Sequence, residues 1–571
     1  MKTVILSGGS GNDSLIRGLK YYYPSMNCKV IVNAYDNGKS TGVCRAVTNT
    51  LGVSDIRKNH IRMYKAMHGN HDKNIIEFYD NRYDFTPGNE VAEITEKLNT
   101  WGMPQFIPCV KSFFDRPEAK KYSYTDFNIS NIVYAEMYAK MGYESTNDYF
   151  CNNILDIDSF VLLNSYSNVY LQAITKSDQT IKDEGEIVEW CNSDDKIESC
   201  FYTTSDGSPM NFDLNDRTVH SIEDADLIII STGTFWSSIY PTLDFGNLYQ
   251  VINQNKKAKK VWALNCEEDK DSYGVSADEF ISTVRNLGLC LDDFTILVNN
   301  DACEILRTVQ DDSVNCHYSH MGNVGGKHNP DKYAKAILEC YYGLNDFTPE
   351  QIVCDFDDTL WPRNTSLKNI GIDNIQLLNR TNMGVIISGN SFSSIKTKLA
   401  SIYGSDLSDF NIPVWADASS TEYIQGVKTH TIGDCFISKD TLEKVESHIN
   451  RLFGMTAVSH PDTDLPYIKY KPMGNLERML FTYLFNNYIR YNINTPELLA
   501  NITGNSTVDI TTSGDNKVKV YKECEFEGMN ILYIGDEVDK GNDCNVSKLA
   551  TKAIHTSGVE ETNCILKVLC E

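Results

Sequence analysis

Short runs of mostly β-branched apolar residues recur along the first half of the chain, each bounded by Gly, Ser, Asn or Asp. They lie at residues 3–6, 29–33, 227–231, 260–264 and 294–298. Runs of this length predict strands that are buried on both faces, as in a parallel sheet covered by helices. The intervening helical patterns and polar loops indicate elaborations of the same domain.

The same alternation starts again after a segment rich in Gly, Asn, Asp and Pro at residues 343–349. New strands are predicted at 351–354, 384–387 and 530–534. We therefore predict an α/β fold with two doubly wound, parallel-sheet (Rossmann-like) domains. The predicted domains are 1–345 and 350–571.

The charge excludes two classes of partner. Of the 571 residues 77 are acidic and 52 are basic, which gives a formal net charge of −25. Proteins that bind nucleic acid or anionic membranes need an excess of Lys and Arg, so we expect neither partner. No apolar run approaches the roughly 20 residues of a membrane span, and the first run is too short for a signal peptide.

The cysteines give a further expectation about location. The chain has 17 of them and no CxxC pair. Together with the lack of an export signal, this pattern favours reduced, buried thiols over a disulfide framework. We therefore expect a cytoplasmic enzyme or small-molecule binder.

The strongest chemical signal is DFDDTL at residues 355–360, directly after the strand predicted at 351–354. The carboxyl end of a strand is where α/β folds place their chemistry. In such a loop Asp355 can attack a phosphorus atom, and Asp357 can give a proton to the leaving oxygen. A solvated acidic loop is the alternative interpretation of this motif taken alone.

Three further segments complete a phosphoryl-transfer set. Ser388 follows a predicted strand and, with the backbone N–H groups behind it, can hold a phosphoryl oxygen. Lys469 and Lys471 precede a helical pattern and supply a cation, although a solvated lysine is the alternative for Lys471. The last segment is GDEVDKGND at 535–543, a carboxylate cluster whose oxygen ligands suit Mg²⁺.

These four motifs, in this order, resemble the haloacid dehalogenase superfamily of phosphohydrolases over about residues 348–571. The resemblance implies that Asp355 is the nucleophile, which forms an aspartyl-phosphate, and that Asp357 is the general acid and base. It implies that Ser388 is a phosphate ligand and that Lys471 (or Lys469) is the charge clamp.

The same resemblance implies a metal site and a cap. The Mg²⁺ ligands would come from Asp355, Asp357, Asp536 and Asp543, with Asn542 as an alternative to Asp543. The long stretch before Lys471 implies an inserted cap domain at about 396–468 that selects the substrate. The form of the last motif looks most like the branch that acts on sugar phosphates.

Polar loops also follow the predicted strands of the first half. The strand at 3–6 runs into SGGSGNDS at 7–14 and then a helical pattern, which together can bind phosphate through backbone N–H groups and the helix dipole. The loop matches neither GxGxxG nor the Walker pattern, and a plain tight turn is the alternative. Similar polar turns follow the strands predicted at 29–33 and 227–231.

Taken together, these segments resemble the family that joins 2-phospho-L-lactate transferase with the UDP-sugar-binding gluconeogenesis factors, over most of residues 1–342. The likeness rests on residues 8–11, 36–42, 54–59, 130–132 and 232–241, and on Asn265. It implies a nucleotide or nucleotide-linked ligand, and the implied ligand-binding residues are Gly8, Gly9, Ser10, Gly11, Asn33, Asp36, Asn37, Lys39, Ser40, Asp55, Arg57, Asn131, Gly233, Thr234, Ser237, Ser238 and Asn265.

Departures from the family pattern leave the specificity open. Asn37 stands where many members carry a second acidic residue, and TGT at 232–234 replaces Gly-Pro-Gly-Ser. We expect the phosphate site to be kept, whereas the acceptor or sugar is not predicted. Surface charges are the alternative interpretation of Lys39 and Arg57.

Two phosphate-type sites on one chain predict a bifunctional enzyme. The first domain would transfer a phosphate-linked group, and the second would be a Mg²⁺-dependent phosphomonoester hydrolase. The alternative is a non-catalytic nucleotide-sugar sensor that regulates the attached phosphatase. The expected partners are small phosphorylated molecules, and the family resemblance favours a homodimer.

Overall fold

A computed structural model gives the structure of residues 1–8, 11–69, 71–204, 213–432, 437–457, 467–471, 474–503, 507–512, 516–524, 526, 528–539 and 543–570. The chain divides into two compact units, Met1–Asn345 and Asp346–Glu571. Across the residues given above, no helix is long and apolar enough to cross a membrane.

The first unit is built on a parallel sheet. Its strands are β1 (Lys2–Leu6), β2 (Asn27–Val32), β3 (Val161–Leu163), β4 (Tyr170–Thr175), β5 (Thr180–Ile181), β6 (Ile197–Thr203), β7 (Leu227–Ile230), β8 (Lys259–Ala263), β9 (Phe294–Asn299) and β10 (Asn315–Ser319). Seven of them form one sheet in the order β10-β9-β8-β7-β1-β2-β3, and every pair is parallel. The other three form a small antiparallel sheet in the order β5-β4-β6.

Helices alternate with these strands, which is why neighbouring strands of the large sheet run parallel. They are α1 (Asn12–Tyr22), α2 (Lys39–Thr48), α3 (Ser54–Met67), α4 (Lys73–Asp80), α5 (Glu90–Thr100), α6 (Ile107–Phe114), α7 (Ile129–Met141), α8 (Tyr143–Phe150), α9 (Glu184–Glu189), α10 (Asp216–Glu223), α11 (Tyr240–Asp244), α12 (Leu248–Gln254), α13 (Ala277–Leu287) and α14 (Pro330–Tyr342). A π-helical turn, Phe235–Ile239, precedes α11. Capping side chains fix the N-termini of several of these helices, for example the Ser276–Glu279 capping box of α13.

The centre of this sheet brings the polar loops to one edge. Strand β1 lies between β7 and β2, with Leu6 opposite both Ile230 and Ile31. The side chains of β7 are fully buried, as the uninterrupted apolar run predicted. Because the three strands are parallel, the loops that follow them lie at the same edge of the sheet.

The second unit repeats the parallel arrangement. Its strands are β11 (Gln351–Cys354), β12 (Gly384–Ile387), β13 (Val414–Ala416), β14 (Thr421–Ile424), β15 (Val427–Thr431), β16 (Tyr467–Tyr470), β17 (Leu499–Thr503), β18 (Thr507–Thr511), β19 (Ile531–Gly535) and β20 (Lys552–His555). The main sheet has the order β15-β14-β13-β12-β11-β19-β20, in which β12 and β19 both pair parallel with the central β11. Among the described pairs of this sheet, β13–β14 and β14–β15 are antiparallel and the others are parallel. The predicted α/β class with two doubly wound parallel sheets is confirmed.

The helices of the second unit are α15 (Lys368–Thr381), α16 (Phe392–Tyr403), α17 (Lys439–Phe453), α18 (Asn475–Leu484), α19 (Arg490–Asn492), α20 (Asn516–Glu523), α21 (Cys544–Ser547) and α22 (Val559–Cys570). A separate small core spans residues 437–510 and packs α17 and α18 on the antiparallel sheet β16-β18-β17. This inserted part lies later in the chain than the cap expected at about 396–468. The reason is that β13 to β15 belong to the main sheet, where β13 pairs with β12, and α16 connects β12 to β13.

Candidate functional site

Asp355 lies at the carboxyl end of the central strand β11. Its backbone N–H donates to the Ile534 carbonyl oxygen (3.0 Å), so the β11–β19 ladder continues as far as this residue. The chain then turns sharply, because the N–H groups of Leu360 and Trp361 both donate to the Phe356 carbonyl oxygen. Asp358 has a positive φ of 53° within that turn. The ladder brings Asp355 to the same sheet edge as the loop after β19.

A buried lysine joins two carboxylates at this edge. Lys517 Nζ, on α20, lies 2.6 Å from Asp355 Oδ1 and also contacts Asp543 Oδ1. The Tyr533 hydroxyl donates to the same Asp543 oxygen (2.8 Å). Burial alone would lower the pKa of Lys517, but Asp355 and Asp543 raise it above its ordinary value. Lys517 is therefore charged and neutralises part of the carboxylate cluster.

Three carboxylates meet around this lysine. One oxygen from each of Asp355, Asp536 and Asp543 lies within 4.8 Å of the others. Asp543 Oδ2 is buried and has no hydrogen-bond partner in the described part of the chain. A Cβ on Gly535 would stand 2.5 Å from that oxygen, so only glycine leaves it room. Mg²⁺ prefers hard oxygen ligands such as carboxylates. Three carboxylates, one of which has an oxygen without a described hydrogen-bond partner, therefore fit that ion.

The pKa shifts of the cluster agree with this interpretation. Burial raises the pKa of Asp355 well above its usual range, and Asp543 and Asp536 add to the effect while Lys517 opposes it. Burial and the nearby Asp543 carboxylate raise the pKa of Asp536 to about 6. The carboxylates carry more negative charge than one lysine offsets, so a bound cation would stabilise their ionised forms.

Asp357 does not join this cluster. Its carboxylate accepts a hydrogen bond from Asn390 Nδ2 and lies 3.4 Å from Lys398 Nζ. Of the four expected metal ligands, the geometry therefore brings together Asp355, Asp536 and Asp543 but not the Asp357 side chain. Its side chain is 26% exposed, so it remains accessible to a substrate.

Ser388 lies at the end of β12, next to β11. It is buried, its backbone N–H donates to the Trp415 carbonyl oxygen (2.8 Å), and its hydroxyl accepts from the Asn390 N–H (3.1 Å). Because β12 pairs directly with β11, Ser388 and Asp355 lie at the ends of neighbouring strands. This placement is compatible with the roles that the sequence predicts for Asp355 and Ser388.

The two lysines predicted as the charge clamp lie in or next to the inserted sheet. Lys469 lies on β16 in the inserted sheet, 3.7 Å from Asp509, and the exposed Lys471 follows that strand directly. Neither is among the described contacts of Asp355, whereas Lys517 is. The insert is longer than expected, so the lysine that contacts Asp355 lies further along the chain, on α20. The alternative Asn542 lies outside the described residues.

In the first unit, the loops after β1 and β7 pack closely together. The Thr232 hydroxyl donates to the Gly11 carbonyl oxygen (3.0 Å), and a Cβ on Gly11 would overlap the Thr232 carbonyl group. Gly8 likewise leaves room for the Ser238 side chain. Glycine is therefore required here by close packing, whatever the ligand. Gly9 and Ser10 lie outside the described residues.

A cleft of about 120 Å³ opens beside this contact. Gly11, Thr232, Gly233, Thr234 and Asn265 contribute to its lining. Asn265 accepts from the Gly233 N–H (3.1 Å) and donates to the Gly233 carbonyl oxygen (2.9 Å), which holds the turn after β7 in place. These predicted residues are thus brought together at one cleft.

An unpredicted carboxylate occupies the start of the π-helical turn. Asp271 Oδ2 accepts from the N–H groups of Trp236 (2.9 Å) and Ser237 (3.1 Å). The Ser237 hydroxyl donates to Thr234 Oγ1 (2.6 Å), and that oxygen lies 3.0 Å from the Ser238 hydroxyl. The N–H groups of this turn were expected to face a phosphate, but an internal carboxylate satisfies two of them.

The loop after β2 forms a separate acidic set. Asp36 Oδ1 accepts from the Gly38 N–H (2.9 Å), and the Asn37 N–H donates to Glu184 (3.4 Å). Burial raises the pKa of Glu184 well above its usual range, with further contributions from Asp36 and Asp55. Asp55 itself pairs with Lys58 (3.3 Å).

Lys39 begins α2 and is exposed. Its ammonium group lies 3.3 Å from Asp126. Lys39 is thus a surface ion pair in this structure, which is the alternative interpretation that the sequence left open.

The remaining predicted ligands are buried and bonded to the protein. Arg57 donates to Asn131 Oδ1 (2.9 Å), and Asn131 Nδ2 donates to the Ser40 hydroxyl (3.0 Å). Asn33 Nδ2 donates to the Ser238 carbonyl oxygen (3.1 Å) and to Thr242 Oγ1 (3.2 Å). All four predicted residues (Arg57, Asn131, Ser40 and Asn33) are nearly inaccessible. Their side chains are bonded within the protein and do not line the cleft, and Arg57 is not a surface charge.

The comparison with known families decides the relationship of the first unit. The family model for the 2-phospho-L-lactate transferase CofD matches residues 3–315, which is more than half of the chain. The chain belongs to the CofD family. The resemblance inferred from the loop motifs is confirmed.

The relatives of the CofD-family unit include gluconeogenesis factors. The gluconeogenesis factor of Bacillus subtilis is 24% identical over 307 residues, which are 52% of this chain and 79% of the relative. A protein of Clostridium acetobutylicum is 23% identical over 318 residues, which are 54% of this chain and 58% of the relative. The chain thus spans little more than half the length of that second protein.

Solved structures resemble each half separately. A UPF0052 family member from Bacillus halodurans covers 59% of this chain and 99% of its own, with 19% identity and a TM-score of 0.45. A haloacid dehalogenase-like hydrolase from Bacteroides thetaiotaomicron covers 38% of this chain and 98% of its own, with 12% identity and a TM-score of 0.28.

Asp271 gives the CofD-family unit a testable pH dependence. Burial, with the nearby Asp269, raises the pKa of Asp271 to about 7, although the N–H groups of Ser237 and Trp236 oppose the shift. In the unfolded chain this carboxyl ionises near its ordinary pKa of about 4. Between these two values the folded state binds the extra proton, so stability is full at low pH and falls as pH rises to about 7.

We expect Asp271→Asn to remove this dependence. Between pH 4 and pH 8 the free energy of unfolding should fall by about 2–4 kcal/mol more in the wild type than in the variant. The reason is that one pKa unit corresponds to about 1.4 kcal/mol. Urea unfolding at a series of pH values measures the difference, with the exposed Asp292→Asn as the matched control. Parallel pH profiles for the wild type and Asp271→Asn would contradict the assignment.

Proposed function

We propose that the chain is a bifunctional metabolic enzyme. In this proposal the Asp346–Glu571 unit hydrolyses phosphomonoesters, and the CofD-family unit binds a nucleotide-linked ligand and transfers a phosphate-linked group. The proposed hydrolase function rests on one observation, the buried Lys517 between Asp355 and Asp543. One oxygen each of Asp355, Asp536 and Asp543 lies within 4.8 Å of the others, and Asp355 and Asp536 follow neighbouring strands. Such a cluster can accept a phosphoryl group that is attached to a small molecule.

The chemistry can be assigned to individual side chains. An Asp355 oxygen attacks the phosphorus atom, and the bond from phosphorus to the leaving oxygen breaks. Asp357 gives its proton to the leaving oxygen and afterwards takes one from the water that hydrolyses the aspartyl-phosphate. Lys517 offsets the charge of the nucleophile, and Ser388 is placed to hold a phosphoryl oxygen.

Asp355, Asp536 and Asp543 would hold Mg²⁺. When bound, the ion supplies charge neutralisation for the phosphate oxygens and for the carboxylates. The protein's own contribution is to hold these carboxylates together in a buried place, where Lys517 keeps them from repelling one another.

The direct test is phosphate release from a panel of sugar phosphates and other small phosphomonoesters. We expect release with Mg²⁺ and a return to the background rate when EDTA removes the ion, because the carboxylate cluster then repels the phosphate. Calcium in place of magnesium is a useful control, since it prefers more ligands and longer distances. Release that is unchanged by EDTA would contradict the role given to the three aspartates.

A second candidate for the CofD-family unit is a nucleotide-sugar sensor without chemistry. The occupation of the Trp236 and Ser237 N–H groups by Asp271 favours it, because those donors are then not available to a transferred phosphate. The two candidates differ in whether the ligand is consumed. Nucleotide sugars are titrated into the full chain carrying Asp355→Asn, and the nucleotide is then analysed.

Binding with intact ligand supports sensing, whereas conversion supports transfer. Asn265→Ala should weaken binding in either case, because Asn265 holds the turn that lines the cleft. Asn99→Ala, an exposed asparagine on α5, is the matched control. A homodimer and a cytoplasmic location stay predictions.

A further inference from the structure

Two side chains from outside the Asp355–Leu360 turn contact the Asp357 carboxylate. Asn390 Nδ2 donates to Asp357 Oδ2, and Lys398 Nζ lies 3.4 Å from Asp357 Oδ1. Both carboxylate oxygens therefore have a partner. The ion pair is only partly accessible, with Lys398 25% and Asp357 26% exposed, so solvent screens it less than it would a surface pair.

Lys398 is itself held in place by aromatic rings. Its ammonium group lies 4.8 Å from the Phe356 ring centroid and 6.0 Å from that of Trp361. The two rings are almost parallel, 3° apart, with their centroids separated by 6.4 Å. A cation at this distance from a ring face is attracted to it. A lysine that would otherwise sample many rotamers thus has one preferred position above the Asp355–Leu360 turn.

The backbone that carries both partners is also anchored. The Asn390 N–H donates to the Ser388 hydroxyl (3.1 Å), and its carbonyl oxygen accepts from the Asp417 N–H (2.7 Å). Asp417 Oδ1 in turn accepts from the N–H of Phe392, the first residue of α16 (3.0 Å). The loop after β13 therefore fixes the start of the helix on which Lys398 lies.

We propose that Lys398 and Asn390 are positioning residues that aim the Asp357 carboxyl at the leaving oxygen, an inference that rests on the proposed hydrolase function. In the first half-reaction an Asp355 oxygen bonds to phosphorus, the bond to the leaving oxygen breaks, and the proton on Asp357 moves to that oxygen. A carboxyl that is free to rotate spends less time in line with the leaving oxygen. Neither Lys398 nor Asn390 needs to contact the substrate for this effect.

The effect of losing Lys398 should depend on the leaving group. An alkyl phosphate releases a strongly basic alkoxide, which needs the proton from Asp357. p-Nitrophenyl phosphate releases a weakly basic phenolate, which leaves without it. A lysine that bound the phosphate or only stabilised the fold would affect both substrates equally.

The experiment measures kcat/KM with Mg²⁺ for p-nitrophenyl phosphate and for the best alkyl phosphate of the panel. We expect Lys398→Met to lower the alkyl value by about tenfold or more and the aryl value by less than about twofold, since general acid catalysis contributes about 10²–10⁴-fold. Asp357→Asn should give the same pattern with a larger loss, and Lys398→Arg should recover most of the alkyl activity. Lys396→Met, two residues earlier on the same helix, should leave both values unchanged.

Each other outcome counts against the proposal. Equal losses for the two substrates in Lys398→Met would assign the lysine to substrate binding or to stability, and no loss would remove it from the reaction. If Asp357→Asn shows the leaving-group pattern and Lys398→Met does not, the hydrolase function stands and only the positioning role is lost. A wild type inactive towards both substrates, like Asp355→Asn, would overturn the proposed function as well.

Discussion

Asp355→Asn should abolish phosphate release by the intact protein, with kcat/KM reduced by about three orders of magnitude or more. An amide oxygen cannot replace the carboxylate as nucleophile, and loss of a nucleophile has effects of this size. The substitution keeps the shape of the side chain and removes one negative charge from a crowded cluster. The variant should therefore fold and be at least as stable as the wild type.

The measurement is phosphate release over the whole substrate panel, together with a thermal unfolding curve. Asp373→Asn, an exposed aspartate on α15, is the matched control and should keep full activity. Equal activity of Asp355→Asn and the wild type would show that any hydrolysis takes place elsewhere on the molecule. If both proteins are inactive, the proposed hydrolase function is wrong.

Lys517→Met should have the largest combined effect on stability and activity. It removes the ammonium group that contacts both Asp355 and Asp543 and leaves two buried carboxylates facing each other. Breaking a buried ion pair in this way costs about 3–5 kcal/mol. We also expect phosphate release to fall to the level of Asp355→Asn, because nothing then offsets the charge of the nucleophile as the phosphate approaches.

Two lysines provide controls for this prediction. Lys522→Met alters an exposed residue of the same helix, and Lys471→Met removes the lysine that the motif spacing had favoured. Both should keep the wild-type activity and unfolding midpoint. If Lys471→Met is inactive while Lys517→Met is active, the assignment of the charge clamp from this geometry is wrong.

The Lys517→Met variant should also regain stability in acid. Burial and the neighbouring carboxylates raise the pKa of Asp355, and its protonation removes its repulsion with the other aspartates, so the difference from wild type is largest near neutral pH and shrinks as pH falls. Urea unfolding of both proteins at several pH values tests this. A difference that is independent of pH would indicate that Lys517 contributes by packing alone.

The sequence predicted those parts of the molecule that depend on local patterns. Buried parallel strands need uninterrupted apolar runs, so eight of the fourteen strands of the two main sheets could be predicted from the sequence, and with them the strand ends that carry Asp355, Ser388 and Asp536. Strands β3, β10, β13 to β15 and β20 were not predicted. The loop glycines could be found for the same reason, since Gly8 and Gly11 lie directly after such a strand.

The contacts that the sequence missed are between distant segments. Lys517 meets Asp355 across 162 positions of the chain, and nothing in its own neighbourhood distinguishes it from a solvated helix lysine. Asp271 lies in an acidic stretch that reads as a surface loop, yet it is buried against the turn at 235–239. The sequence also left open whether Arg57 is a surface charge, and only the fold shows that its guanidinium is buried.

The central claim, that Asp355 carries a phosphoryl group during turnover, can be tested by rapid acid quenching and mass spectrometry. The full-length protein is mixed with its best substrate and Mg²⁺, quenched within the first turnover and digested. We predict a phosphorylated peptide at Asp355 in the wild type. With p-nitrophenyl phosphate, whose leaving group needs no proton, we predict a larger amount in Asp357→Asn because the water is then not activated. Continued phosphate release with an unmodified Asp355 in both proteins would contradict it.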